Sequence, residues 1–344
     1  MFKLPPEIED YIIEEGGYHC PSYEDVKITL NYGEEELKWY LGTYWPRSFI
    51  EAREIFNDLL KNEVIKGIFQ SKKELWILDI GSGTGGNLIG FLWFMKENFP
   101  DKEIYIIALD GNENALGYQK KFLNEFFGTN SDCQNILIKF NPHQFKNQLK
   151  DGLEKYEGYF DIAMSFKFIS ELICLVHRRE GEYNHNFYKD IIEVVSKSLK
   201  EDGLFILLDV TYPFEESSLS KRFIPQIMTR EIRDYMEETA VLKPIIPLSC
   251  AFWMEDDNCC AATYEGCFTQ RVFKISPSPL KPEGDKSKVT YTVFAKKEKA
   301  KEVLEKIPMQ EGYEIVQDEA NKKMCYSGTI SRDVKVGCPS AFFF

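Results

Sequence analysis

The chain has 344 residues, of which 44% are apolar and 28% charged, enough to bury a core in one large decorated domain or in two. Its formal net charge of -13 repels polyanions, so a nucleic-acid partner would need a local basic patch to outweigh the overall field. No such patch is long: Lys296-Lys297-Glu298-Lys299-Ala300-Lys301 is interleaved with an acid, as on a solvated helix face.

Residues 1–70 carry aromatic and acidic residues at helical spacing, with Trp39, Tyr40, Tyr44 and Phe49 leading into Ala52-Arg53-Glu54-Ile55-Phe56, and read as a helical cap or lid. From about residue 71 to 240, short β-branched runs alternate with amphipathic stretches, as a parallel sheet with crossover helices requires. Strands are expected at 76–80, 104–109, 135–140, 160–165 and 204–210, and helices near 86–98, 113–127, 144–155, 186–200 and 216–238. This is a doubly wound α/β core, whose ligands bind beyond the carboxyl ends of the strands. After residue 240 the pattern gives way to a Pro-, Cys- and Asp-rich stretch, and Val289 to Ala295 alternates like an antiparallel strand.

The turn after the first strand, Leu78-Asp79-Ile80-Gly81-Ser82-Gly83-Thr84-Gly85, fits Gly-x-Gly-x-Gly, and with Gly86 also the dinucleotide spacing Gly-x-Gly-x-x-Gly. Asp79 separates the two ligands on charge. A carboxylate two residues before the first glycine would repel a pyrophosphate and attract the ammonium and sulfonium of S-adenosylmethionine (SAM). Asp110, at the end of the second strand, can accept both ribose hydroxyls, and would do so for NAD as well, so it supports a nucleoside without choosing between the two ligands. The cofactor-binding set is therefore Asp79, Gly81, Ser82, Gly83, Gly85, Asn87, Asp110 and Gly111, together with Asn141 near the adenine edge and Ser165 facing the methyl acceptor. Asn141 before Pro142 is equally a turn former, and Ser165 a polar strand end. The stretch Ser165-Phe166-Lys167-Phe168 is not the Asp/Asn-Pro-Pro-aromatic tetrapeptide of exocyclic base-nitrogen methylases. No catalytic residue is singled out; of His19, His143, His177 and His185, only His143 stands where a base could be tested.

These segments, with Phe160-Asp161-Ile162-Ala163 and Leu199-Lys200-Glu201-Asp202-Gly203, resemble the class I SAM-dependent methyltransferases over about residues 70–300. The resemblance implies a seven-stranded Rossmann-like sheet of order 3-2-1-4-5-7-6, with the antiparallel strand supplied by Val289 to Ala295. It also implies a methyltransferase.

Nine cysteines in a chain without an apolar run of roughly 18 to 20 residues or a signal-peptide start point to a reducing, cytoplasmic setting with no membrane partner, hence to thiols or metal ligands rather than disulfides. Cys250, Cys259, Cys260 and Cys267 cluster beyond the core, and their spacing is not Cys-x-x-Cys. Leu41 to Phe49, Ile169-Ser170-Glu171-Leu172, Gly266-Cys267-Phe268-Thr269-Gln270-Arg271-Val272 and Met324-Cys325-Tyr326-Ser327-Gly328 resemble the mitochondrial small-ribosomal-subunit methyltransferase-like assembly factors and their bacterial relatives. That resemblance implies a Cys-rich metal-binding region over 241–344 that includes the last strands of the sheet. Cys250, Cys259, Cys267 and Cys325 would hold a four-iron four-sulfur cluster, with zinc as the alternative and Cys260 able to replace Cys259. The chain departs from the family in lacking Cys-Pro-His near the first ligand and a His after the third. Cys20, Cys133, Cys174 and Cys338 are expected to be unligated. The implied partner is the small ribosomal subunit or its RNA, and the alternatives are a non-catalytic assembly factor or a methylase of a small molecule or peptide. A monomer is expected.

Overall fold

The computed structural model describes residues 1–20, 32–128, 131–181, 183–217, 220–239, 241–246 and 268–306, with the short strands at 314–317, 324–327 and 334–337 described by backbone alone. Four helices come first: α1 (Pro6–Glu14), α2 (Glu34–Thr43), α3 (Trp45–Leu59) and α4 (Glu63–Ser71). Then follow β1 (Glu74–Ile80), α5 (Gly86–Asn98), β2 (Glu103–Asp110), α6 (Glu113–Phe126), β3 (Ser131–Leu137), α7 (Phe145–Leu153), β4 (Phe160–Phe166), α8 (Phe168–Glu180), α9 (Phe187–Ser198) and β5 (Leu199–Val210). The chain continues with β6 (Pro213–Ser217), β7 (Ser220–Phe223), α10 (Ile224–Glu238), β8 (Leu242–Ile246), β9 (Phe268–Ile275), β10 (Asp285–Lys296), α11 (Lys297–Glu305), β11 (Glu314–Gln317), β12 (Met324–Ser327) and β13 (Val334–Gly337).

The main sheet runs β3-β2-β1-β4-β5-β10-β9-β13, with β8 also paired to β10. Strands β1 to β5 are mutually parallel, and β10 lies antiparallel to β5, Val289 opposite Val210 and Ala295 opposite Leu204. Because β8 is antiparallel to β10, it runs parallel to β5. The expected order 3-2-1-4-5-7-6 is therefore present, with β10 in seventh and β8 in sixth place; β9 and β13 extend it along the other half of the edge.

Parallel strands are buried on both faces, so their sequences are continuous apolar runs. In β1 the side chains of Leu75 and Ile77 join the layer formed by α1 to α6, while Leu78 and Ile80 join α7 to α10 on the other side. Every residue of the central strand β4 is buried. The N-terminal helices are part of this first layer. Gly90 shows how close they come, since a Cβ there would stand 2.3 Å from the Phe49 carbonyl oxygen, joining α5 directly to α3.

Several boundaries differ from the sequence expectation. The third strand occupies 131–137 because it pairs residue by residue with β2, ending at Leu137 opposite Asp110. The helix expected at 216–238 begins only at Ile224: Pro225 sits in its first turn, where the missing N–H costs nothing and the ring prevents extension backwards, and the preceding segment pairs as β6–β7. Helix α8 was not expected. No helix among the described residues is long and apolar enough to cross a membrane.

Two segments quoted for their resemblance turn out to be ties between layers. Arg47 donates Nε and Nη2 to the two carboxylate oxygens of Asp285 at 2.6 and 2.9 Å, fastening α3 to β10. Arg271 of β9, 4% exposed, pairs with Asp58 of α3 at 2.5 Å, and Gln270 donates to Thr211 Oγ1 at 2.7 Å. Asp161 is buried at the amino end of the sheet, where it accepts from Lys72, Lys200 and the Trp76 N–H and so ties β4 to β1 and β5.

Candidate functional site

A cleft opens at the carboxyl ends of β1, β2 and β4, lined by the glycine turn (Gly81, Ser82, Gly83, Thr84, Gly86), Asn87 and Asp110, and walled by Phe166 and Phe168. Tyr40, Trp45 and Ser48 of the N-terminal helices and Glu171 of α8 complete it. The turn is held by the neighbouring strand, since Gly81 and Ser82 both donate N–H to the Leu109 carbonyl, at 2.8 and 3.1 Å. Gly81 has φ +73, and a Cβ on it would meet Phe168 at 2.3 Å, so only glycine fits both the left-handed turn and the aromatic wall. Gly85 caps α5 and donates to the Ser82 carbonyl at 2.9 Å.

Asp110, 6% exposed, accepts the Gly83 N–H on Oδ2 and the Asn112 N–H on Oδ1, each at 2.8 Å. The Gly111 N–H adds a third contact to this carboxylate. Of the roughly four lone-pair directions of a carboxylate, these donors leave one for a ligand hydroxyl. Burial pushes the Asp110 carboxyl above its ordinary value, against the pull of these backbone donors.

Asp79 does something other than the sequence reading supposed. It is fully buried and absent from the cleft lining; Oδ2 accepts from Ser82 Oγ at 2.5 Å and Oδ1 from Asn87 Nδ2 at 2.8 Å. Gln119 donates in turn to Ser82 Oγ at 2.6 Å. Asp79 thus braces two residues of the cleft from behind, while Asp110 and Glu171 are the carboxylates that line it. Burial raises its carboxyl to about 7, with its two hydrogen bonds opposing and the Asp110 charge adding.

Asn141 is not brought into the cleft. Exposed, it accepts the His143 N–H at 3.1 Å and donates its own N–H to Gln148, so the turn-former alternative describes it. Ser165 is also outside the lining: side chains alternate along β4, and its neighbour Phe166 is the residue that points to the cleft. His143 stands beside Glu180, at 3.1 Å, and not in the cleft where a base was sought. Sequence reasoning missed Tyr40, Trp45, Ser48, Phe166, Phe168 and Glu171 as lining residues. The aromatic density of 39–49 was the available signal, but only packing shows Trp45 stacked on Phe122, its Nε1 donating to the Thr84 carbonyl at 3.1 Å. Tyr40 is held neutral as a donor, its phenol raised by burial and then by the charges of Glu171 and Asp110.

Lys167 links β4 to α8 at φ +62, a left-handed conformation unusual for a side chain of this kind. Its Nζ lies 2.7 Å from Glu51 Oε2 and 3.3 Å from Ser48 Oγ, and Glu51, fully buried, also accepts from Ser287 Oγ. This strained corner fixes Phe166 and Phe168 on either side of it.

Cys250, Cys259, Cys260 and Cys267 lie outside the described residues, and Cys325 is described only as backbone in β12, opposite Val316. Cys20, Cys133 and Cys174 lie on separate elements and are free of disulfides; burial pushes the Cys133 thiol up to about 12.

The buried carboxylates make a pH prediction. Asp79, at about 7, is joined by Glu231 at about 8, which accepts from Tyr183 Oη and the N–H groups of Tyr188 and Lys189. Both folded values are raised, so the folded state holds these protons more tightly than the unfolded chain. The resulting stability is fully present below about pH 4 and is lost as pH rises through 7 to 8. Stability should fall between about pH 5 and 8, by on the order of 3 kcal/mol or more, and Asp79→Asn should flatten the part of that slope below about pH 7. Melting temperatures that rise over this range would contradict the assignment.

No family model matches the chain, and no curated protein matches it. Solved structures do. A precorrin-6y C5,15-methyltransferase from Geobacter metallireducens GS-15 is 15% identical, with 69% of this chain and 90% of that one covered at a TM-score of 0.35. A geranyl diphosphate C-methyltransferase from Streptomyces coelicolor A3(2), in complex with Mg2+, geranyl diphosphate and S-adenosyl-L-homocysteine, is 9% identical, covering 86% and 100% at 0.36. An rRNA methylase from Streptococcus thermophilus is 10% identical, covering 69% and 94% at 0.34.

Proposed function

We propose that the chain binds SAM in this cleft and acts as a SAM-dependent methyltransferase. The observation that carries the reading is the charge of the cleft: Asp110 and Glu171 line it, and none of its described lining residues is Lys, Arg or His. Such a site favours a cationic ligand. The antiparallel β10 beside β5 supports the same choice, because the dinucleotide-binding sheet is built on the order 3-2-1-4-5-6.

SAM supplies an electrophilic methyl carbon. The chain's part is to orient: Asp110 holds the ribose, the glycine turn admits the backbone to the ligand, and Trp45, Phe166 and Phe168 exclude water from the approach of the acceptor. Isothermal calorimetry with SAM, S-adenosylhomocysteine and NAD tests this. SAM and its product should bind and NAD should not; NAD binding without SAM would reverse the assignment.

For the acceptor, the four segments quoted above support ribosomal RNA or a role in small-subunit assembly, with Cys250, Cys259, Cys267 and Cys325 as iron-sulfur or zinc ligands. The acidic net charge favours a partner protein or particle over unaided RNA binding. Transfer of tritium from methyl-labelled SAM to undermodified small-subunit RNA is the expected result. Silence in that assay, together with co-sedimentation with ribosomal particles, would instead support a non-catalytic assembly role.

A further inference from the structure

We propose that His143, Glu180 and His185 bind one divalent transition-metal ion of the zinc class, at a site separate from the cleft. The fold brings His143, in the turn after β3, to Glu180, the last residue of α8, and to His185, in the short loop that follows it. One ligand atom from each lies within 4.8 Å of the other two. His143 Nε2 stands 3.1 Å from Glu180 Oε1, and His185 Nε2 stands 3.9 Å from Glu180 Oε2.

Two imidazoles and a carboxylate are a familiar zinc donor set, and bond lengths near 2.0 Å around a tetrahedral ion place donors roughly 3.3 Å apart, so a small closure suffices. A water would complete the tetrahedral set.

The supports behind the donors make this more than a chance meeting of polar groups. The His185 ring stacks on the buried Phe187 at 4.8 Å and 16°, and its loop is pinned by Tyr183, 4% exposed, whose Oη donates to Glu231 at 2.8 Å. The backbone of His143 is held by the Asn141 side chain at 3.1 Å. The His185 imidazole is thus largely oriented before any ion arrives, which lowers the ordering cost of binding. Glu180 ends α8, where the helix dipole is negative and disfavours a carboxylate. A cation at this point offsets that repulsion. Phe145 contacts both Phe187 and Phe168, so an aromatic wall stands between these ligands and the cleft.

Zinc uptake by the full chain, measured by competition with a chromophoric chelator, tests the site. His143 and its partner are replaced together as His143→Gln/His185→Gln; the single variant His143→Gln serves as a folding control, because the His143 side chain is 66% exposed. The wild type should take up one more equivalent of Zn2+ than the double variant, whatever the cysteines bind, and Glu180→Gln should weaken that equivalent by roughly 100-fold. Zinc should raise the melting temperature of the wild type and raise that of the double variant less. With Co2+, the additional equivalent should show ligand-field bands without thiolate charge transfer. Equal zinc stoichiometry and affinity in wild type and double variant would overturn the proposal, as would an additional equivalent with a thiolate spectrum.

Discussion

Asp110→Ala is expected to weaken SAM binding by at least about 100-fold, close to 3 kcal/mol. Two losses combine. The Gly83 and Asn112 N–H groups each lose a buried acceptor at 2.8 Å, and an unsatisfied buried donor costs about 1–3 kcal/mol. A ribose hydroxyl also loses a charged acceptor, such a bond contributing about 1.5–3 kcal/mol. Asp79→Asn separates touching the ligand from bracing the turn. It keeps the shape and one acceptor toward Ser82 and Asn87, so the affinity should fall less than about tenfold. Calorimetry on both variants reads the difference. If Asp79→Asn proved the more damaging, direct selection by Asp79 would be restored and Asp110 demoted.

The second large effect is on stability. Lys167→Met leaves Glu51 fully buried without its cation and should destabilise the chain by about 3 kcal/mol, since removing one partner of a buried pair typically costs 3–5 kcal/mol. The double variant Lys167→Met/Glu51→Gln should recover much of this, because the uncompensated charge is gone. Denaturant unfolding of the two single variants and the double closes the cycle. Additive effects would mean that the pair is not coupled and that the 2.7 Å contact contributes nothing. Lys167→Gly adds a control: it relieves the left-handed strain at φ +62, by roughly 1 kcal/mol, while still orphaning Glu51, so it should be slightly less harmful than Lys167→Met.

How legible each feature was depends on the range of the interactions behind it. The glycine turn and Asp110 could be read because they are local: a strand, a turn with positive φ and a strand-end carboxylate are written in contiguous residues. The strand Val289 to Ala295 was legible for the same reason, and pairing with β5 then completed the sheet order. Asn141 and Ser165 do not line the cleft, and each reading rested on a strand end placed by periodicity. Register with β2 moved one end back to Leu137, and alternation along β4 gave the cleft to Phe166.

By itself the sequence determined the α/β class, the order of elements around the glycine turn and the residues that could meet a nucleoside, because hydrophobic period and turn chemistry are properties of neighbours along the chain. Only the tertiary structure decided what those residues face. It turned Asp79 inward to Ser82 and Asn87, and brought Trp45 and Glu171 to the cleft from segments far apart in the chain. It also gathered His143, Glu180 and His185 on one side of an aromatic wall. Burial and through-space charge arise from packing between layers, and no spacing along a single strand or helix encodes them.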